Sequence, residues 1–250
     1  MPTIAEAAQQ LAAADVPVLF VDTCILLDVI RAPLRKIPGC IQSAVELAEM
    51  QAQSHCRIVA SSMIRNEWSA NERAVMTEFE RHLAARDQDA IAFHEACELV
   101  RIPLAFSKPS YHATGLVEKL RDLAAQLLTN AMHLLPSDET MARATNRTLS
   151  CVRPARKGGG LQDCVIIEEY FELCRLLQAA GFAKKRAFCS SNTEDYQDGR
   201  DLHVALQSEF ASVGLVFTNA LHWAVNELKT PNLPTTQPSE SPPPMEAAGP

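Results

Sequence analysis

The chain has 250 residues, 47% of them apolar and 21% charged, with a formal net charge of −7. That composition is ordinary for a globular protein with room for one large domain or two small ones, and the acidic balance argues against general electrostatic coating of nucleic acid while leaving room for a local basic surface. No apolar stretch is long enough to span a bilayer. Residues 1–14 are Ala-rich and amphipathic with Glu6 inside, without the basic start and apolar centre of a secretory signal. The eight cysteines are scattered without a Cys-x-x-Cys pair. Reduced thiols in a cytoplasmic protein are therefore expected, and structural zinc is not.

Val16–Asp22 is an apolar run ending in an acid. It predicts a buried strand of a parallel sheet with Asp22 at its carboxyl end, where open α/β sheets place their chemistry. An Asp there also reads as the cap of the following helix. Gly39 precedes a predicted helix over Ile41–Gln53. Arg57–Ala60 is a short strand, and Ser61 or Ser62 caps a helix that starts near Met63 and runs towards Ala85. Glu67 lies in its first turns. Residues 87–100 read as a separate helix, with His94 and Cys97 as a packed pair on one face. Pro103 and Pro109 mark a loop. Val117–Leu135 reads as one helix, and Ser137 opens the next. Arg143, Arg147, Arg153, Arg156 and Lys157 follow, with no acid from Ala142 to Gln162, and Gly158-Gly159-Gly160 closes the run. Leu161–Ala180 is an amphipathic helix with Asp163 in its first turn, stopped by Gly181. Arg186–Ser190 is a second apolar strand leading into Ser191–Tyr196. Leu202–Phe210 is helical, Leu215–Thr218 a last strand and Ala220–Leu228 a last helix. From Thr230 prolines crowd in, and such a tail cannot offset its ordering entropy.

Strands alternating with helices imply an α/β fold: a parallel sheet of about four to five strands wrapped by helices. Residues 1–229 form the domain, residues 70–157 a helical insertion with almost no strand signal, and 230–250 a disordered Pro-rich tail. A parallel topology gathers Asp22, Glu67, Asp163 and Asp195 on one sheet edge. Carboxylates so clustered repel and take up protons unless a cation joins them, and oxygen donors suit Mg²⁺ or Mn²⁺. Singly, each acid is equally a helix-terminus charge. The run Arg143–Lys157 leads into Asp163, so Arg153, Arg156 and Lys157 are candidates to hold a phosphate backbone, the bland alternative being a solvated loop.

The blocks around these acids resemble the PIN-domain ribonucleases, the family that includes toxin ribonucleases of bacterial toxin–antitoxin pairs. Val21-Asp22-Thr23-Cys24-Ile25-Leu26 is similar to the family's opening strand and acid. Ser62–Trp68 resembles the block of its second acid, Leu161–Ile167 that of its third, and Phe188–Tyr196 its closing strand, hydroxyl and acid. The resemblance covers residues 16–225 and implies a Mg²⁺- or Mn²⁺-dependent endoribonuclease. It implies Asp22 and Asp163 as the main metal ligands and Glu67 and Asp195 as ligands directly or through water. Asn192 and Ser190 become supports of the phosphate or of the metal's surroundings, with Asn192 and Asp195 competing for the fourth acid's place. The partners it implies are RNA or single-stranded DNA, a protein inhibitor such as an antitoxin, and a second copy in a homo-oligomer, with no membrane. The alternative is a non-catalytic PIN-like module that binds nucleic acid or protein. An aspartyl phosphatase is a weaker third option, since Cys24 stands where its second Asp belongs.

Overall fold

The computed structural model describes residues 1–155 and 160–230. The first helix, α1 (Ile4–Ala14), is closed by a capping box in which Thr3 and Glu6 hold each other's backbone N–H groups. It leads into β1 (Val18–Val21), whose side chains are all buried, as the apolar run predicts. Then come α2 (Thr23–Arg35), α3 (Cys40–Ala52) and β2 (Arg57–Ala60).

The next helix, α4 (Ile64–Leu99), is one continuous element of 36 residues, not two. Neither Gly nor Pro occurs between Met63 and Arg101, so nothing in the chain interrupts it. At 1.5 Å per residue it is about 54 Å long. Ile64, Trp68, Val75 and Phe79 give its first half a buried stripe.

After a loop come α5 (Leu116–Thr129) and β3 (Met132–His133). The sequence predicts one helix over Val117–Leu135 and almost no strand within 70–157; the helix instead ends at Thr129 and a strand follows it. Ala131–Leu135 is a short apolar run that fits helix or strand equally. Here it extends the sheet: Met132 and His133 pair with Val59 and Ala60, and Leu134 N donates to Ala60 O at 3.0 Å. Val117, Leu120, Ala124, Leu127 and Leu128 of α5 join the main core.

Ser137 caps α6 (Asp138–Leu149) as predicted, accepting from Thr140 N at 3.1 Å. The long α7 (Leu161–Ala179) follows, then β4 (Arg186–Cys189), the one-turn α8 (Thr193–Tyr196) and a two-residue hairpin of β5 (Gln197–Asp198) and β6 (Asp201–Leu202). The chain ends in α9 (Val204–Ser212), β7 (Val216–Thr218) and α10 (Leu221–Lys229). Residues 231–250, where the Pro-rich tail is expected, lie outside the described residues.

The main sheet has five parallel strands in the order β3-β2-β1-β4-β7, with helices around it. The α/β class and the strand count match the sequence reading. From β1 the chain builds outwards through β2 to β3, then returns to β4 on the other side and continues to β7. The direction of winding therefore reverses between β1 and β4. A crevice opens outside the carboxyl ends of the strands at such a reversal. The register levels these ends: Val21 is opposite both Ala60 and Cys189, and Cys189 is opposite Thr218. Asp22, Ser61 and Ser190 therefore all start from one height.

All eight cysteines are free, and Cys40, Cys56, Cys97, Cys164, Cys174 and Cys189 are buried. Among the described residues no helix is long and apolar enough to cross a membrane.

Candidate functional site

Tyr170, midway along α7, is fully buried beneath the crevice. Its hydroxyl donates to Val21 O at 2.6 Å and accepts from Ser61 N at 2.9 Å. One side chain thus ties together the ends of β1 and β2. The adjacent Glu169, also fully buried, accepts from Ser62 N at 3.0 Å and Ser62 Oγ at 2.7 Å. Ser62 is therefore committed to α7, and Ser61 alone supports the entry to α4, accepting from Met63 N at 3.2 Å.

Asp22 follows β1 and occupies the N-cap position of α2, yet its side chain makes no capping bond. It turns instead to the crevice. Ser190 Oγ, just past β4, donates to Asp22 Oδ2 at 2.5 Å, and Cys24 Sγ approaches the same oxygen at 3.3 Å. Asp22 is only 4% exposed. Burial pushes its pKa up, and the bonds from Ser190 and Cys24 partly oppose that.

Glu67 ends the first turn of α4 and accepts from Thr23 Oγ1 at 2.6 Å. Its pKa is raised by burial and, to a lesser degree, by the charge of Asp22, while the Thr23 bond lowers it. Asp163, in the first turn of α7, is pushed up to about 7 by burial and then by the charges of Asp22, Asp195 and Glu67. That mutual influence brings all four acids named from the sequence into one field. Asp195 on α8 accepts from Asn192 Nδ2 at 2.6 Å, and Asn192 N donates to Ser190 Oγ at 3.2 Å. Ser190 and Asn192 thereby link the Asp22 and Asp195 ends of the cluster.

Asp22, Thr23, Cys24, Glu67, Asp163 and Asn192 line an open cleft of about 380 Å³. A larger cleft of about 510 Å³ lies beside the β3 edge and contains Arg57, Arg65 and His133 but none of these acids. Size does not decide between them. The smaller cleft sits at the reversal of the sheet and holds the perturbed carboxylates, so it is the candidate site.

Among the described residues no group of three or more His, Cys, Asp or Glu side chains is arranged so that it could hold a metal ion as it stands. Asp22, Glu67 and Asp195 are each turned onto a hydroxyl or an amide. The donor set is nevertheless all hard oxygen, and Mg²⁺ uses only one or two protein carboxylates when water and phosphate complete its shell. An acid pushed up to about 7 by burial and then by the charges of its acidic neighbours marks a place where positive charge is wanted. The residues present fit a hard divalent cation on these grounds.

The basic run behaves differently from the sequence reading. Arg147 is buried on α6, with Nη2 2.7 Å from Glu168 Oε1 and 2.6 Å from Glu209 Oε1, and Nη1 2.6 Å from Arg153 O. Arg143 meets Glu139 at 2.7 Å, Glu172 at 2.9 Å and Glu168 at 3.0 Å. These two arginines fasten α6 to α7 and α9 and cannot serve as a solvated arm. The sequence shows no nearby acid because the acids arrive from other helices. Arg153 Nη1 donates to Glu194 O at 2.8 Å, next to Asp195, while Arg156 and Lys157 lie outside the described residues.

The cationic groups in the cleft are ones the sequence reading passed over, Arg31 and Arg35 of α2. Arg31 Nε pairs with Glu78 Oε2 and Arg35 Nη1 with Asp28 Oδ1, both at 3.2 Å. One turn apart on one face, they continue the line that Asp28 begins. Helical spacing counted from Cys24, which gives Asp28, Arg31 and Arg35 at steps of four, three and four, would have found them. No family model, curated protein or solved structure matches this chain.

Proposed function

We propose that this chain is a metal-dependent nuclease, an endoribonuclease in the manner of the PIN-like family its sequence resembles. One observation carries the reading: Asp22, Glu67 and Asp163 line a single cleft at the reversal of the sheet, and the charges of Asp22, Asp195 and Glu67 help push Asp163 up to about 7. Asp22 and Asp163 would hold Mg²⁺ or Mn²⁺, with Glu67 and Asp195 joining directly or through water. When bound, such an ion polarises a phosphoryl oxygen and lowers the pKa of water. Thr23 fixes the orientation of Glu67, and Ser190 that of Asp22. Asn192 offers an amide beside both ends of the acid cluster, suited to support a phosphate oxygen. Arg31 and Arg35 each pair with one carboxylate among the described residues, and their guanidinium groups suit the flanking phosphates.

The test is incubation of the purified chain with mixed RNA and single-stranded DNA, in EDTA, Mg²⁺ and Mn²⁺, beside the Asp22→Asn variant. Cleavage of RNA that needs the metal and is lost in the variant is the expected result. Cleavage that persists equally in EDTA or in the variant would overturn the reading.

A second reading has its own observation, the lack among the described residues of a ready metal-holding group. It takes the chain as a module that binds nucleic acid or protein without turnover. Binding of RNA with no cleavage in Mn²⁺, and no rise in melting temperature with Mn²⁺, would favour it.

A further inference from the structure

The carboxyl edge of the sheet continues past the acid cleft. Ser190 N donates to Thr218 O at 3.1 Å, so the end of β7 adjoins the turn that holds Asp22. Two strand spacings, about 9.6 Å, separate β7 from β1. A second pocket of about 280 Å³ opens at this point, walled by Gln197, Arg200, Asp201, Phe217, Asn219 and Trp223 among others. Gln197 is two residues beyond Asp195, so the segment that brings the last acid also builds this wall.

Two features of the wall define its chemistry. The first is aromatic. Trp223 is 58% exposed, whereas the chain's other tryptophan, Trp68, is 5% exposed. Phe217 is held from behind by Tyr196, Phe188 and Phe210, with ring centroids 5.7, 5.9 and 6.1 Å away. The second is the ring of planar polar groups. Asn219 Nδ2 donates to Gln197 Oε1 at 3.1 Å, and Gln197 Nε2 donates to Arg200 O at 3.0 Å. The amides are therefore fixed in place beside the aromatic faces. Arg200 and Asp201 supply one charge of each sign, so the wall does not select by net charge.

Aromatic faces with amides at their edge are the chemistry that receives an unpaired base. A base in single strand offers both a π-face and a hydrogen-bonding edge, whereas in a duplex both are occupied. A wall of balanced charge offers a strongly acidic peptide no net attraction, and such a peptide brings no base to stack. We propose that this pocket holds one unpaired nucleobase of a single-stranded RNA whose backbone crosses the acid cleft, with Trp223 as the stacking face. The proposal rests on the nuclease reading and adds to it a separate subsite for one unpaired base.

Tryptophan emission tests it, because the exposed Trp223 is open to a solute and Trp68 is not. The full chain is titrated at low salt, in EDTA and again in Ca²⁺, with a single-stranded RNA decamer, a duplex of the same sequence and polyglutamate. The single strand should quench the emission, and the duplex and polyglutamate should not. Trp223→Ala should weaken binding of a fluorescently labelled decamer, read by anisotropy, about tenfold, while Trp223→Phe restores most of it. No quenching by the single strand in either buffer, or equal quenching by duplex or polyglutamate, overturns the proposal. So does unchanged decamer affinity in Trp223→Ala. If Trp223→Ala fails to fold, the wild-type quenching pattern and the Trp223→Phe affinity decide. Cleavage in Mn²⁺ is scored on the same samples. Cleavage without quenching sinks the pocket and spares the nuclease; quenching without cleavage does the reverse.

Discussion

Replacing Asp163 by Asn tests whether the acids strain the protein when no cation is bound. In the folded chain Asp163 is raised from 3.8 to about 7. About three pKa units at roughly 1.4 kcal/mol each is about 4 kcal/mol. Asp163 is partly open to water, and screening brings this to about 2 kcal/mol. The sign follows from proton counting. Between pH 3.8 and about 7 the folded state binds more protons at Asp163 than the unfolded state, so stability falls as pH rises through that window. Below it the acid is neutral in both states. Asp163→Asn removes the effect, so the variant should match the wild type near pH 4 and exceed it by about 2 kcal/mol at pH 8, or roughly 4–8 °C in melting temperature. Urea unfolding in EDTA across that range is the assay. Adding Mn²⁺ at pH 8 should then stabilise the wild type more than the variant. A variant no more stable than the wild type at pH 8 in EDTA would show that the carboxylates are too well solvated or too far apart to strain one another.

Three further outcomes are expected. Asp22→Asn should lower RNA cleavage in Mn²⁺ by at least about 100-fold while circular dichroism shows the fold unchanged, since one charged ligand is removed from the proposed site; activity within a few-fold of wild type would remove Asp22 from the role. Arg147→Met should cost about 3 kcal/mol in urea unfolding, near the low end for a broken buried pair because Arg143 still meets Glu168. Its folded fraction should bind RNA with an unchanged salt slope, and a shallower slope would return Arg147 to the substrate surface. Arg31→Gln with Arg35→Gln should flatten the slope of log affinity against log salt by about 0.7 for each phosphate no longer neutralised; an unaltered slope would place the backbone elsewhere.

What was legible in the sequence followed from local chemistry. The apolar run before Asp22 read as a buried strand, and for the same reason Arg57–Ala60 was bounded correctly and Arg186–Ser190 ran one residue past the strand's end at Cys189. The four acids were found because each follows a strand or opens a helix, positions that a parallel sheet gathers at one edge. What was not legible depends on partners distant in sequence. Met132–His133 became a strand because β2 offered an unpaired edge. Arg143 and Arg147 were neutralised by Glu168, Glu172 and Glu209, none of which lies in the basic run. Nothing in the sequence singled out Tyr170, since its hydroxyl has meaning only once β1 and β2 are side by side. The aromatic pocket was hidden likewise, because β7 and α10 meet the hairpin only in the folded chain.

The bonds of Tyr170 give α7 the character of a ruler. Asp163 and Tyr170 are seven residues apart on that helix, which places them on nearly the same face and about 10.5 Å apart along its axis. The hydroxyl of Tyr170 grips both strand ends at one mark of the ruler, and Asp163 is fixed at another. The height of Asp163 above the strand ends is thus set by helix pitch, the stiffest measure a polypeptide has. A single residue added between Asp163 and Tyr170 would therefore swing the carboxylate about 100° around the axis and out of the cleft.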